Sequence, residues 1–161
     1  MGAILAAVLP GLIDGGSGPP DPPSSEVVEY QARVATFCDT APAGPLPLEF
    51  FDVFDRYSEE NRRNYVDALV DYRSTMRRRL KTVTGKQPPE ELIEDWQAEQ
   101  QAEARYFRAL HRYTDAVDDA RQIRLDPLPG SLQRQQNRLQ DIADEWSGDL
   151  ATLSGGGCSG D

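Results

Sequence analysis

Three tyrosines and one glutamate occur where a polar cavity could form between two long helices. Tyr72 lies on one predicted helix, and Glu103, Tyr106 and Tyr113 lie on the next. If the helices pair about residue Gln87, Tyr72 faces Glu103, and the tyrosine hydroxyls could hold a ligand. Alternatively, buried tyrosine hydroxyls need partners, and a glutamate in the seam supplies one. We favour the second interpretation, because satisfied core tyrosines are commoner than ligand cages.

A block of positive charge precedes the turn between these two helices, and a block of negative charge follows it. The basic cluster contains Arg77, Arg78, Arg79 and Lys81. It could bind an anion or an acidic partner. Alternatively, the bases complement the C-terminal dipole of one helix, and the acids complement the N-terminal dipole of the next. We favour this explanation because it accounts for both signs, with each exposed pair contributing ~0.2–1 kcal/mol.

The chain has one histidine, His111, one helical turn before Asp115. A structural metal needs three or four ligands, and a di-iron bundle needs Glu-x-x-His motifs on two helices. The sequence has neither this repeated spacing nor a glycine-rich phosphate loop. We therefore predict no metal, no cofactor and no enzymatic activity.

Cys38 and Cys158 are the two cysteines of the chain. Such a pair favours a disulfide in an exported protein and two free thiols in a cytosolic one. In an up-and-down bundle, we expect Cys38 and the end of the last helix to lie toward opposite ends. The five residues from Leu153 to Cys158 reach at most ~17 Å, which need not close that gap. The sequence leaves open whether the two are bonded.

Four helical segments are expected to position these residues. The spacing of apolar residues and the helix-capping residues predict helices over 26–40, 48–84, 90–124 and 130–153. Within the second segment, Ser58 followed by two glutamates resembles a new N-cap, so we expect a bend near Tyr57. Gly85 and the Pro88–Pro89 pair separate the second segment from the third.

The lengths of these segments determine the predicted architecture. At ~1.5 Å per residue, the second and third segments are each ~50 Å long, and a short turn makes them antiparallel. The last segment folds back on them through an apolar stripe that includes Trp146. The prediction is an all-α fold: an elongated, irregular four-helix bundle over residues 26–153, built on a long antiparallel helical hairpin. Residues 1–25 and 154–161 are predicted to be flexible tails.

The N-terminal segment combines an apolar stretch, Ala3–Ile13, with a linker of Gly, Pro, Ser and Asp. The stretch has the length of a signal-peptide core, but it lacks a basic N-terminal region and a small-x-small cleavage pattern. Two interpretations stay open. One is a signal peptide or weak membrane tether, and the other is an apolar arm that docks on the bundle or on a neighbour.

Composition excludes some partners. The 161-residue chain has 17 basic and 27 acidic side chains and a formal net charge of -10. This balance argues against a nucleic-acid partner, because phosphate contacts need a basic face. No stretch has the ~20 apolar residues of a membrane-spanning helix. We therefore expect membrane contact only through the N-terminal segment, if at all. The preference for arginine over lysine, with abundant Ala, Gly and Pro, indicates a high-GC bacterium.

These observations predict a non-enzymatic helical module that binds another protein or self-associates. We expect it to be secreted or associated with the cell envelope, and a cytoplasmic location is the alternative. The alternative function is a helical bundle that binds a small molecule or lipid in a cavity near Tyr72, Glu103 and Tyr106.

Overall fold

A computed structural model describes residues 22–41, 59–119 and 130–158 of the chain. These residues contain four α-helices and no strand, which confirms the predicted all-α four-helix fold. In chain order the helices are α1 (Ser25–Thr40), α2 (Glu59–Val83), α3 (Ile93–Asp119) and α4 (Gly130–Leu153). A short 3₁₀ helix, Glu90–Leu92, leads directly into α3.

The ends of the helices follow from their capping residues. The Ser24 side chain caps α1 by accepting a hydrogen bond from the Val27 N–H at 3.3 Å. The described part of α2 begins at Glu59, and the bend that the sequence predicts near Tyr57 lies outside the described residues. The predicted helical residues 48–58 and 120–124 lie outside the described residues, as do Ala3–Ile13 and the linker up to residue 21.

Helices α2 and α3 form the predicted antiparallel hairpin, with a different register. The cross-hairpin contacts are Arg62–Asp118, Tyr65–Tyr113, Tyr72–Tyr106 and Thr84–Trp96. These pairs centre the turn near Pro89 instead of Gln87, so Tyr72 faces Tyr106 and not Glu103 as predicted. Helix α3 begins at Ile93, after the short 3₁₀ helix, instead of at Glu90 as predicted.

All four helices contribute to one hydrophobic core, and the most extensive packing lies between α3 and α4. Ala102 of α3 is fully buried, which is consistent with a small residue allowing close approach of a neighbouring helix. The most buried large apolar side chains are Tyr30 and Val34 from α1, Leu69 and Leu80 from α2, Phe107, Leu110, Tyr113 and Val117 from α3, and Leu153 from α4. In the described part of the chain, no helix is both long and apolar enough to cross a bilayer.

Helix α4 ends in a glycine turn that reverses the chain. The Gly155 N–H donates to the Thr152 carbonyl at 3.0 Å, and the Gly156 N–H donates to the Ala151 carbonyl at 2.8 Å. This pair of bonds is the Schellman motif, which places a residue with positive φ just past the helix end. Gly155 and Gly156 have φ values of +65° and +92°, which a residue with a Cβ adopts only at a cost.

The reversal brings Cys158 onto α1, where it forms a disulfide with Cys38 at a Cα–Cα distance of 5.4 Å. Gly157 approaches α1 so closely that a Cβ there would lie 2.6 Å from the Cβ of Ala35. Residues 154–158, predicted as part of the C-terminal tail, therefore form a packed turn, and residues 159–161 lie outside the described residues. The expectation that the cysteines lie toward opposite ends fails, because α1 packs beside the C-terminal end of α4.

Candidate functional site in the helical seam

The predicted tyrosines lie in the seam between α2 and α3 with their hydroxyls paired. The Tyr106 hydroxyl donates to the Tyr72 oxygen at 3.2 Å, and the Tyr65 hydroxyl donates to the Tyr113 oxygen at 3.4 Å. Burial raises the pKa of all four hydroxyls, so they stay protonated at neutral pH. Tyr65 lies two helical turns before Tyr72 on the same apolar face, but it was not among the residues predicted to line a cavity.

A fully buried carboxylate, that of Glu99, lies between α3 and α4, with an exposed fraction of 0%. The Trp146 indole N–H donates to one carboxylate oxygen at 3.0 Å, and the Gln100 amide donates to the other at 2.7 Å. Both donors are neutral, and among the described residues no cation forms an ion pair with Glu99. Burial raises the pKa of Glu99, and the two hydrogen bonds act in the opposite direction. Trp146 is a partner that sequence analysis missed, although a buried indole N–H needs an acceptor.

Glu103 lies one turn further along α3 and shares a hydrogen-bond donor with Glu99. The Gln100 amide lies 3.4 Å from a Glu103 oxygen. Burial and the neighbouring Glu99 charge raise the pKa of Glu103 to about 7, while Arg77 acts in the opposite direction. The Gln100 amide thus connects Glu99 and Glu103, and the raised pKa of Glu103 lets this carboxyl group take up a proton near neutral pH.

Aromatic rings connect the two seams of the bundle. Tyr106 stacks on Trp146 with ring centroids 4.7 Å apart and an interplanar angle of 25°. Because the Tyr106 hydroxyl reaches Tyr72 and the Trp146 indole reaches Glu99, the contacts are continuous from α2 to α4.

From α1, the buried Tyr30 hydroxyl has no hydrogen-bond partner among the described residues. Burial and then the Glu99 charge raise the pKa of Tyr30 to about 12.

The predicted basic cluster does not form one patch. The Arg77 guanidinium lies over the Phe107 ring, 4.9 Å from its centroid, and Arg79 donates to the carbonyl of Thr40 on α1. Arg78 and Lys81 are exposed. Neighbouring residues on a helix point in different directions. Consequently Arg77 serves the α2–α3 contact, whereas Arg79 serves the α1–α2 contact.

Two open grooves lie on the surface of the described bundle. One encloses about 360 Å³ between α3 and α4. The other encloses about 450 Å³ between α1 and α2, and we call it the α1–α2 groove. None of the four predicted ligand-binding residues, Tyr72, Glu103, Tyr106 and Tyr113, lines either groove. The α1–α2 groove is lined by Arg33, Thr36, Phe37, Thr40, Arg79, Thr82 and Val83.

His111 lies on the surface of α3, as its sequence context suggests. Its Nδ1 atom is 3.4 Å from a carboxylate oxygen of Asp115, and both side chains are more than half exposed. Within the described ranges, no group of three or more His, Cys, Asp and Glu side chains is placed to hold a metal ion.

Comparison of the chain with protein-family models, with curated proteins and with solved structures finds no significant match. The function is therefore proposed on the contacts described above.

Proposed function

We propose that this chain is a non-enzymatic helical module that binds another protein, and that it works outside the cytoplasm. The disulfide between Cys38 and Cys158 carries the proposal. Disulfides form and persist in oxidising compartments, whereas most cytosols keep thiols reduced. Since the bond attaches α1 to the turn after α4, an oxidising environment would stabilise the folded bundle.

The polar groups inside the bundle support a structural interior. The tyrosine hydroxyls bond to one another, and Glu99 accepts from Trp146 across the α3–α4 interface. Each of these contacts joins side chains from two helices. These polar groups already form hydrogen bonds between helices. We therefore place the binding function on the surface of the bundle.

The surface offers places for a partner to bind. Val28 of α1 and Val70 of α2 are large apolar side chains with exposed fractions of 51% and 42%. The α1–α2 groove adds a concave surface of about 450 Å³ with both polar and apolar lining. Concave surfaces with exposed apolar side chains are common features of protein interaction sites.

Trapping of thiols in cells of the native organism would test the location. Cells are fractionated in the presence of a maleimide that adds mass to free thiols. We expect Cys38 and Cys158 to be labelled only after reduction, and the chain to be found in the envelope or the medium. Free thiols in a cytosolic fraction would contradict the proposed location.

Site-specific photo-crosslinking in the same cells would test the interaction. A photoreactive residue is placed at Val28 or Val70, with exposed Gln97 of α3 as the control position. We expect one of the two valine positions to give a discrete adduct with the same protein in repeated experiments, identified by mass spectrometry. If all three positions gave the same diffuse background, the interaction function would be contradicted.

A further inference from the structure

Two arginines from adjacent helices line the α1–α2 groove, and none of the described residues that line it is acidic. Arg33 comes from α1, and Arg79 comes from α2. The chain as a whole has 27 acidic and 17 basic side chains, so this groove has the opposite sign to the molecule's net charge. A local potential of this kind attracts anionic groups to a cleft.

Neither guanidinium has a carboxylate partner in the part of the chain that the structure describes. Arg79 donates to the backbone carbonyl of Thr40. Arg33 lies over the Tyr30 ring at 5.2 Å from its centroid, and its Nε is buried without a hydrogen-bond partner among the described residues. An arginine has five N–H donors, so both side chains keep donors that the folded chain does not use.

Threonine hydroxyls add hydrogen-bond acceptors to the groove. Thr36 donates to the Ala32 carbonyl at 2.8 Å, and Thr82 donates to the Arg79 carbonyl at 2.6 Å. Thr40 likewise donates to the Thr36 carbonyl at 2.8 Å. A hydroxyl that already donates keeps its lone pairs. These oxygens can therefore accept from an N–H group of a ligand but have no proton to offer to an anion.

The floor of the groove is apolar. Phe37 is buried, with an exposed fraction of 5%, and Val83 is half-buried beside it. The groove thus combines guanidinium donors, hydroxyl acceptors and an apolar floor. An inorganic anion would use only the first of these. A peptide with acidic and apolar side chains would use all three, because its backbone supplies N–H donors.

We propose that the α1–α2 groove binds an acidic peptide segment of the partner protein, in which carboxylates flank an apolar side chain. The proposal rests on the proposed interaction function and names the chemistry of the partner. Arginine suits this role because its planar guanidinium binds carboxylates through two parallel hydrogen bonds. Recognition of acidic motifs by arginine clusters follows the same chemistry.

Titration of the full-length, disulfide-bonded chain with defined peptides, followed by NMR, tests the proposal. The probe is acetyl-Glu-Leu-Glu-Leu-Glu-amide, and the neutral control replaces each Glu with Gln. We expect saturable shifts of the Arg33 and Arg79 side-chain signals and of the Thr36 amide. The acidic peptide should bind at least ~10-fold more tightly than the neutral one, since it alone offers carboxylates to both guanidiniums.

Charge-matched variants locate the binding. The double substitution Arg33→Gln and Arg79→Gln should weaken binding of the acidic peptide at least ~10-fold. The control substitutes Arg78→Gln and Arg108→Gln, which removes the same charge from exposed positions outside the groove. It should change the affinity by less than ~2-fold, because salt screens distant exposed charges.

Several results would overturn the proposal. These are equal binding of both peptides, no saturable binding of the acidic peptide, and equal loss of affinity in the groove and control variants. Sodium acetate producing the same shifts at the same concentration would reduce the groove to a small-anion site. Shifts that depend on protein concentration without peptide would assign the groove to a second copy of this chain. If crosslinking at Val28 or Val70 captures a partner regardless of the groove arginines, the interaction function stands and only the groove proposal falls.

Discussion

At the Glu99 carboxylate, hydrogen bonding and burial act in opposite directions. The Trp146 indole and the Gln100 amide stabilise the charged form, whereas burial and the nearby Asp149 charge favour the neutral form. Burial is the largest of these effects, so the pKa of Glu99 is raised. The same holds for Glu103, for which the cost of burial exceeds the attraction of Arg77. The folded state therefore binds protons more tightly than the unfolded state.

We predict that the bundle loses stability as the pH rises from about 4.5 to about 7. Burial and the neighbouring Glu99 charge raise the pKa of Glu103 from the usual 4.5 to about 7 in the folded chain. The stability that proton binding by Glu103 adds to the folded chain is therefore fully present below the unfolded pKa. It is lost as the pH rises through the folded pKa. Urea unfolding at pH 4.5, 6 and 7.5 should show a loss of ~1–3 kcal/mol in the free energy of unfolding.

Glu103→Gln should reduce this pH dependence, because the amide does not titrate. Glu91→Gln, at an exposed position before α3, serves as the matched control and should leave the dependence unchanged. A Glu103→Gln variant with the same pH dependence as the parent chain would show that Glu103 is not its source.

The paired tyrosine hydroxyls give a second prediction at this scale. Tyr72→Phe removes the acceptor of the Tyr106 hydroxyl and should lower the free energy of unfolding by ~1–3 kcal/mol. Tyr106→Phe should lower the free energy of unfolding less in the Tyr72→Phe variant than in the parent chain. The coupling energy of this double-mutant cycle should be at least ~0.5 kcal/mol. Chemical unfolding at neutral pH measures the four free energies.

The control cycle combines Tyr72→Phe with Tyr113→Phe, because Tyr113 belongs to the other hydroxyl pair. Effects that add within ~0.5 kcal/mol are expected there. Coupling in the control cycle together with strict additivity for Tyr72 and Tyr106 would contradict the hairpin register.

At the scale of one element, α4 contains a glycine inside the helix and ends at two glycines with positive φ. Gly148 lies within α4, and a Cβ added there would meet no atom within 4 Å. Gly156 also has free space around it, but its φ is +92°. The two positions therefore separate the effect of backbone conformation from that of crowding.

We predict opposite effects of alanine at these two glycines. Gly148→Ala should raise the free energy of unfolding by ~0.5–1 kcal/mol, because alanine favours the helix. Gly156→Ala should lower it by ~1–2 kcal/mol, because the side chain disfavours a positive φ. Thermal unfolding of both variants measures the difference. Similar stability for the two would show that Gly156 does not hold this conformation in solution.

The prediction for the whole molecule concerns the N-terminal segment. Deleting residues 1–21 retains the Ser24 cap and the buried Val27 of α1. We expect the thermal midpoint to change by less than ~2 °C, since the deleted residues show no periodic apolar pattern of a core helix. A large decrease would show that Ala3–Ile13 packs on the bundle and would count against an export signal.

A longer deletion provides the control. Removing residues 1–29 also removes the Ser24 cap and Val27, so the midpoint should fall by several degrees. The difference between the two deletions then measures what the start of α1 contributes.

The local pattern of amino acids predicts the helices of the described chain. Apolar residues three and four positions apart predicted α4 at its observed bounds, and the start of α1 within one residue. These features depend on side chains within one or two turns of each other, so the pattern is readable from a short window. The seam position of Tyr72, Tyr106 and Tyr113 followed from the same periodicity.

The contacts between side chains of different helices depend on how the helices pack, and no local pattern predicts them. Tyr72 faces Tyr106 because the hairpin turn is centred near Pro89, and Glu99 meets Trp146, 47 positions away in the chain, across the α3–α4 interface. Cys38 and Cys158, separated by 120 positions, are bonded because Gly155 and Gly156 reverse the chain against α1. Contacts of this kind depend on helix register, on close approach of two backbones and on how the chain reverses between helices. These quantities accumulate over many residues and are not encoded in any single local pattern.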